Sequence, residues 1–273
     1  MKREDIKIEI AFRSNKAPTA SKNDTLQNAQ EINMNELEMR ISNPEVDLVA
    51  NEVDLLDEIL PLAGTKVLEL GCGTAEKTRI VSQKAASILA LEVDEIQLKK
   101  NKMISDLPNV TFSHGGAEKI LAADASFDIV LMFKSLHHVP VDLMEKALNE
   151  VSRVLKQGGL AYVSEPVYAG DFNNILSLFH DERVVREAAF AAVKRIVSSR
   201  RMALVTQKFF LQPMHFEDFT EFEEQVIGVT HSDHKLSTEL FEEVRAKFNK
   251  CMTPAGADFY MPIRVDLLSN NLF

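Results

Sequence analysis

The run Val67-Leu68-Glu69-Leu70-Gly71-Cys72-Gly73-Thr74-Ala75 sets two glycines directly behind a short apolar segment and ahead of a helical pattern. Glycine at a strand-to-helix junction permits a sharp turn and lets a ligand approach main-chain N–H groups that a Cβ would shield. A plain tight turn would use the same residues, so the flanking pattern has to decide. Short apolar or β-branched runs at 66–70, 88–92, 110–113, 128–133 and 160–165 alternate with helical stretches, as in a parallel sheet covered by helices. Asp94 with Gln97 predicts a capping box, and Asn43-Pro44 ahead of Val46, Val49, Val53, Leu56 and Leu60 predicts an amphipathic helix leading into the sheet. Helices are also predicted at 172–179, 182–200 and 237–249, with closing strands near 225–229 and 260–267.

The loop discriminates between ligands. A nicotinamide dinucleotide calls for G-x-G-x-x-G, but the sixth position is Glu76, which would place a carboxylate against a pyrophosphate. Glu69, just ahead of the glycines, suits a cationic or amine-bearing ligand instead. Glu92 ends the second strand, where a carboxylate can accept hydrogen bonds from ribose hydroxyls.

With these residues in place, the segment resembles the class I S-adenosylmethionine-dependent methyltransferase family, of the small-molecule type. Asn109-Val110-Thr111-Phe112-Ser113-His114-Gly115-Gly116-Ala117-Glu118 is similar to that family's third motif, and 126–139 and 153–160 are similar to its fourth-strand and fifth-strand motifs. The resemblance implies an α/β Rossmann-like fold, a mostly parallel seven-stranded sheet with helices on both faces and a helical insertion after strand five. It implies S-adenosylmethionine as cofactor, touched by Glu69, Gly71, Cys72, Gly73, Thr74, Glu92, Val93, Gly116, Ala117, Glu118, Phe133 and Lys134. Two positions depart from the family pattern: Ala75 replaces the third glycine, and Gly116 replaces the acid that reaches adenine, a task left to Ala117 and Glu118.

A methyl group on a sulfonium is already activated, so the protein has chiefly to align an acceptor, exclude water and remove a proton where the acceptor carries one. No metal or covalent nucleophile is expected, and Cys72 reads as a small loop residue. The resemblance makes His138, ahead of His137, the candidate catalytic residue. Adjacent side chains are expected to diverge, which makes the two histidines a poor metal pair, and His231 with His234 makes a weak one. The loop Phe133-Lys134-Ser135-Leu136 lacks the Asp/Asn-Pro-Pro-aromatic pattern of enzymes that methylate amino groups of nucleic-acid bases.

Composition removes other classes. Hydrophobic residues make up 45% and charged residues 26% of the 273, which excludes a disordered or fibrous chain. A net charge of −10 opposes non-specific binding to nucleic acid or anionic lipid. No run is long enough to span a bilayer, no apolar h-region follows the N-terminus, and Cys72 and Cys251 make no disulfide framework; a cytoplasmic protein is expected. A homodimer is compatible with the sequence. The alternation of Ile6, Ile8, Ile10 and Phe12 and the polar stretch 13–30 make 1–43 an N-terminal extension and linker, with the methyltransferase domain at 44–273. Within it, 168–222 is expected to be an acceptor-binding insertion, with Asp171, Phe172, Phe179 and His180 touching substrate. Seven basic residues between 181 and 208 could meet an anion, though a charged helix face explains them as well.

Overall fold

The strand β4 (Phe127–Phe133) sits at the centre of the sheet, and its side chains divide by the two-residue period of a strand. Ile129, Leu131 and Phe133 enter one apolar layer, while Val130 and Met132 enter the other. The neighbouring β1 (Lys66–Leu70) does the same, with Val67 on the first face and Leu68 and Leu70 on the second. Both faces are thus dry, the condition under which parallel strands are stable. The computed structural model describes residues 39–228 and 236–270, within the unit formed by residues 39–273. The expected N-terminal strand and linker, and His231 and His234, lie outside the described residues.

Between these strands run α1 (Glu52–Ile59), α2 (Glu76–Ser82), β2 (Ser87–Glu92), α3 (Glu95–Asn101) and β3 (Val110–His114). After β4 come α4 (Met144–Val154), β5 (Leu155–Pro166), α5 (Asp171–Leu176), α6 (Arg183–Ser198) and β6 (Ala203–Phe216). The short α7 (Phe219–Phe222), α8 (Thr238–Asn249), β7 (Met252–Thr253) and β8 (Gly256–Ser269) complete the order. The sheet runs β3-β2-β1-β4-β5-β8-β6, with β7 paired to β8; β1 to β5 are parallel and β8 is antiparallel to both neighbours. This is the expected Rossmann-like fold. Chain order reverses between β1 and β4, so their carboxyl ends flank the crevice where open α/β sheets bind ligands. No helix among the described residues is long and apolar enough to cross a membrane.

Local signals explain some helix starts. Asp94 accepts from Ile96 N and Gln97 N at the start of α3, and Ser237 Oγ accepts from Leu240 N ahead of α8. Three expectations need correction. No helix starts at Pro44: α1 begins at Glu52, because Leu48 O and Ala50 N are taken by Leu211 on the edge strand β6. Residues 225–228 form no strand, since Glu223–Ile227 is a π-helical turn, and Val229 lies outside the described residues. And 168–222 is no single insertion: α5 and α6 lead into β6, which pairs with β8 along its whole length as part of the sheet.

The phenylalanines expected to roof a substrate build a satellite core instead. Phe172 from α5 lies against Phe216, Phe222 and Phe259 with ring centroids 6.0–6.4 Å apart, and Val244 and Phe248 of α8 close the cluster. Phe172 is buried and Phe179 packs at the cluster's margin, beyond the end of α5, so the two share no helical face. Replacing Phe172 by Ala should cost about 3–5 kcal/mol of stability, measured by urea unfolding. Unchanged stability with a raised acceptor KM would restore the lid role.

Candidate active site

The glycine loop bends through the left-handed region at three nearby positions, Gly71 (φ 75°), Gly73 (φ 48°) and Ala75 (φ 65°). A Cβ on Gly71 would stand 2.8 Å from Cβ of Ser135, whose hydroxyl donates to Leu70 O at 2.7 Å. Gly73 faces open space, so only Gly73 leaves a clear approach to the backbone. Ala75 takes the place of the family's third glycine at a cost of roughly 1–2 kcal/mol, held by burial and by Ala75 N donating to Cys72 O at 2.9 Å. Asn101 from α3 donates to Gly73 O at 2.8 Å. Glu92 fastens the other side, accepting from Gly73 N, Val93 N and Asp94 N at 2.8–3.0 Å. A carboxylate has about four acceptor positions, so Glu92 keeps room for a further donor.

Beneath the loop lies Glu69, 1% exposed, and its Oε2 has no hydrogen-bond partner. Burial raises its pKa to about 8; the Thr78 hydroxyl opposes the shift and the Glu92 carboxylate adds to it. Burial, with Glu69 and Glu92, likewise pushes the Cys72 thiol up to about 12, so it is no nucleophile at neutral pH. At the third strand a Cβ on Gly116 would collide with the Glu118 carboxylate, which therefore occupies the space of the absent acid. Ala117 is buried beside it, and Val93 is exposed. Phe133 packs against Tyr162, and Lys134 binds Glu52 at 3.0 Å and Gln212 at 3.3 Å.

The histidines do not diverge. Leu136 N and His137 N both donate to Glu165 Oε1, which winds Leu136–His138 into a 3-10 turn and sets the two imidazole rings 4.1 Å apart. His137 is buried, with Nδ1 donating to Glu165 Oε2 at 2.5 Å and Nε2 lying 3.5 Å from Glu182 Oε1. Burial disfavours its charge, but Glu165 and Glu182 prevail and hold the pKa at about 9. Burial acts against Glu182 too, yet His137 and Arg186 keep its carboxyl far below the usual range. The two carboxylates favour the imidazolium form of His137, which has no lone pair for an acceptor's proton. His138 is exposed at the rim. His180 joins the cluster through Nε2, 3.0 Å from Glu182 Oε1, whereas Asp171 is exposed and within 3.5 Å of Asn174. The ligand atoms of His137, His138 and Glu182 lie within 4.8 Å of one another, a set that could take a metal ion in place of the proton.

Sequence reasoning missed Asn101, Glu165, Glu182 and Arg186. Glu165 was visible as a carboxylate ending strand five, the same signal that singled out Glu92, and Arg186 stood among the seven basic residues of 181–208; nothing local marked Asn101 or Glu182.

Residues 67–159 match the family described as "Methyltransferase domain". Over these residues the chain is similar to methyltransferases. It is 29% identical over 201 residues to 27-O-demethylrifamycin SV methyltransferase of Amycolatopsis mediterranei, covering 70% of this chain and 68% of that protein. It is 36% identical over 106 residues to demethylmenaquinone methyltransferase of Staphylococcus epidermidis, covering 37% and 43%. Of several curated relatives the match covers only 39–49% of the length. The YcgJ crystal structure from Bacillus subtilis superposes with a TM-score of 0.59 at 18% identity, over 81% of this chain and 98% of that one, a likeness of fold.

The resemblance implies S-adenosylmethionine as cofactor, and the loop fits it: Glu69 Oε2 is a buried carboxyl oxygen lacking a hydrogen-bond partner, and Gly73 is open. A cationic ammonium beside Glu69 favours its ionised form. Because free Glu69 stays protonated until about pH 8, binding near neutrality should release a proton. The dissociation constant should fall by up to about tenfold from pH 6 to pH 7. Calorimetry in buffers of different ionisation enthalpy measures this, and Glu69→Gln should flatten the dependence. A flat wild-type profile would remove Glu69 from the ammonium site.

Proposed function

We propose that this chain transfers the methyl group of S-adenosylmethionine to a small, partly apolar acceptor. The observation that carries the proposal is the buried carboxyl of Glu69, whose Oε2 lacks a hydrogen-bond partner, under an open glycine loop at the point where strand order reverses. When bound, the cofactor supplies a sulfonium-activated methyl group; the chain's part is to bind, orient and keep dry. Glu69, Gly71, Cys72, Gly73 and Thr74 hold the amino-acid end, Glu92 and Val93 the ribose end, and Ala117 and Glu118 the base. His137, fixed as a cation by two carboxylates, sets the ring of His138, and His138 takes the acceptor's proton.

A small acceptor is favoured over RNA by the way the basic residues of 183–208 are spent. Arg186 is buried on Glu182, Arg195 lies 3.3 Å from Glu145, Arg201 binds Asn149 and Lys208 binds Glu58. Four of the seven thus serve separate partners within the protein, which leaves fewer charges for a phosphate backbone. The rifamycin and menaquinone enzymes bear names that point to small molecules with large apolar parts. The domain at 44–273, a cytoplasmic location and a possible homodimer belong to the same proposal.

Glu92→Ala should weaken S-adenosylmethionine and its demethylated product by about 1–3 kcal/mol in calorimetry, and NAD should show no binding to the wild type. NAD binding without sulfonium binding would overturn the assignment. His138→Ala should lower turnover roughly 10²- to 10⁴-fold with cofactor affinity kept, and equal turnover would leave His138 a packing residue.

A further inference from the structure

Arg264 of β8 faces Glu165 of β5 across the antiparallel ladder, so both side chains leave the sheet on the face covered by α4 and α6. It is 1% exposed. Its Nε donates to Asp266 Oδ2 at 2.8 Å, its Nη1 reaches Ile41 O at 3.4 Å, and its Cζ lies 4.5 Å from the Phe190 ring centroid. Nη2 has no hydrogen-bond partner. A guanidinium is always charged and its donors form a rigid fork, so a buried nitrogen left over is a standing demand for an acceptor.

Arg264 also borders a cleft. The cleft, of about 140 Å³, is lined by Arg264, Arg186, Ser42, Tyr168 and Glu187, with Pro166 and Val167 among its apolar walls. Arg186 is pinned as firmly as Arg264, by Glu182 and by Asn173 Oδ1 at 2.9 Å. From the sequence, neither arginine stood apart from a charged helix face or strand end.

We propose that Arg264, with Arg186, Ser42 and Tyr168, forms a subsite for a carboxylate on the methyl acceptor, whose hydrocarbon part lies along Val167 and Pro166. The volume takes a carboxylate and a few attached atoms, several times the roughly 30 Å³ of a water, and no nucleotide. The charge balance selects a monoanion. Asp266 and Glu182 each already face one of the two guanidiniums, and Glu187 stands exposed at the rim, so a phosphate dianion meets more opposition than a carboxylate. The position suits an acceptor. Glu165, across from Arg264, holds His137, and Glu182, held by Arg186, touches both His137 and His180. A carboxylate anchored here directs the rest of the molecule toward the histidine turn.

The role as an acceptor subsite rests on the methyltransferase reading; the carboxylate binding does not. Calorimetric titration of the full chain with sodium benzoate, benzyl alcohol and inorganic phosphate tests it, with S-adenosylmethionine titrated into the same samples. Benzoate should bind in the millimolar range, and the alcohol and phosphate at least about tenfold more weakly. Arg264→Lys, which keeps the charge and loses the fork, should lower benzoate affinity by about tenfold. Should that variant not fold, Ser42→Phe fills the cleft from its rim and should abolish the same heat. Equal affinity for benzoate and benzyl alcohol, a preference for phosphate, or benzoate binding untouched in Ser42→Phe would each overturn the subsite. No benzoate binding would do so too, with a trapped water left to satisfy Nη2. Benzoate binding without S-adenosylmethionine binding would keep the subsite and overturn the methyltransferase reading; the converse result would do the opposite.

Discussion

Glu165 accepts from Leu136 N, from His137 N and from the His137 ring, and the acceptor end of the molecule is organised around it. Those bonds fix the turn after β4 to the end of β5. The chain of charge then continues outward, from His137 to Glu182, to Arg186 and to Asn173 of α5. Burying so many charges is costly, and the cost is met only because almost every donor and acceptor has a partner. An alternating network of this kind adds less to net stability than an apolar core of the same volume would. What it supplies is register: α5 and α6 can dock on the sheet in the one arrangement that closes the chain of pairs, since removal of any member strands a buried charge.

The two ends of the crevice therefore rest on different physics. The cofactor side is shaped by backbone: left-handed turns at Gly71, Gly73 and Ala75, tied down by Glu92 and Asn101. Side chains there matter mostly as anchors for main-chain groups, and a ligand meets N–H donors whose direction is fixed by the fold. On the acceptor side the backbone is ordinary and the side chains are locked. The split accords with one reaction having a constant cofactor and a variable partner, because a side-chain network changes by substitution while a left-handed loop does not.

This division also explains what the sequence made legible. The parallel strands, their order of appearance and the loop with Glu69 and Glu92 could be read because each depends on neighbours in the chain: apolar runs of period two, glycines at a junction, a carboxylate at a strand end. Their counterparts on the acceptor side depend on partners more than a hundred residues away or on another element. The pairing of His137 with Glu165 spans 28 residues, and the segment at 48–50 abandons its helical pattern to pair with Leu211. Phe172 and Phe179 gave a spacing that suits a helix face, but α5 stops at Leu176 and Phe172 is claimed by rings from β6, α7 and β8. Periodicity tells which face of an element is apolar; it does not tell whether a ligand or another element covers that face.

Charge accounting at the acceptor end bears on how a substrate is chosen. The cations of His137, Arg186 and Arg264 stand against the carboxyl groups of Glu165, Glu182 and Asp266, so the buried groups nearly cancel while the whole chain carries −10. A protein of that net charge does not draw anions in from solution by its long-range field. Any anionic acceptor must be held by directed hydrogen bonds once it arrives, which a pinned guanidinium with a spare nitrogen provides and a mobile surface lysine does not. Selection then falls on shape and on the spacing between an anchored group and the histidine turn. Substitutions at the walls of the Arg264 cleft should accordingly alter which acceptors fit while leaving the glycine loop, and the cofactor it holds, unaffected.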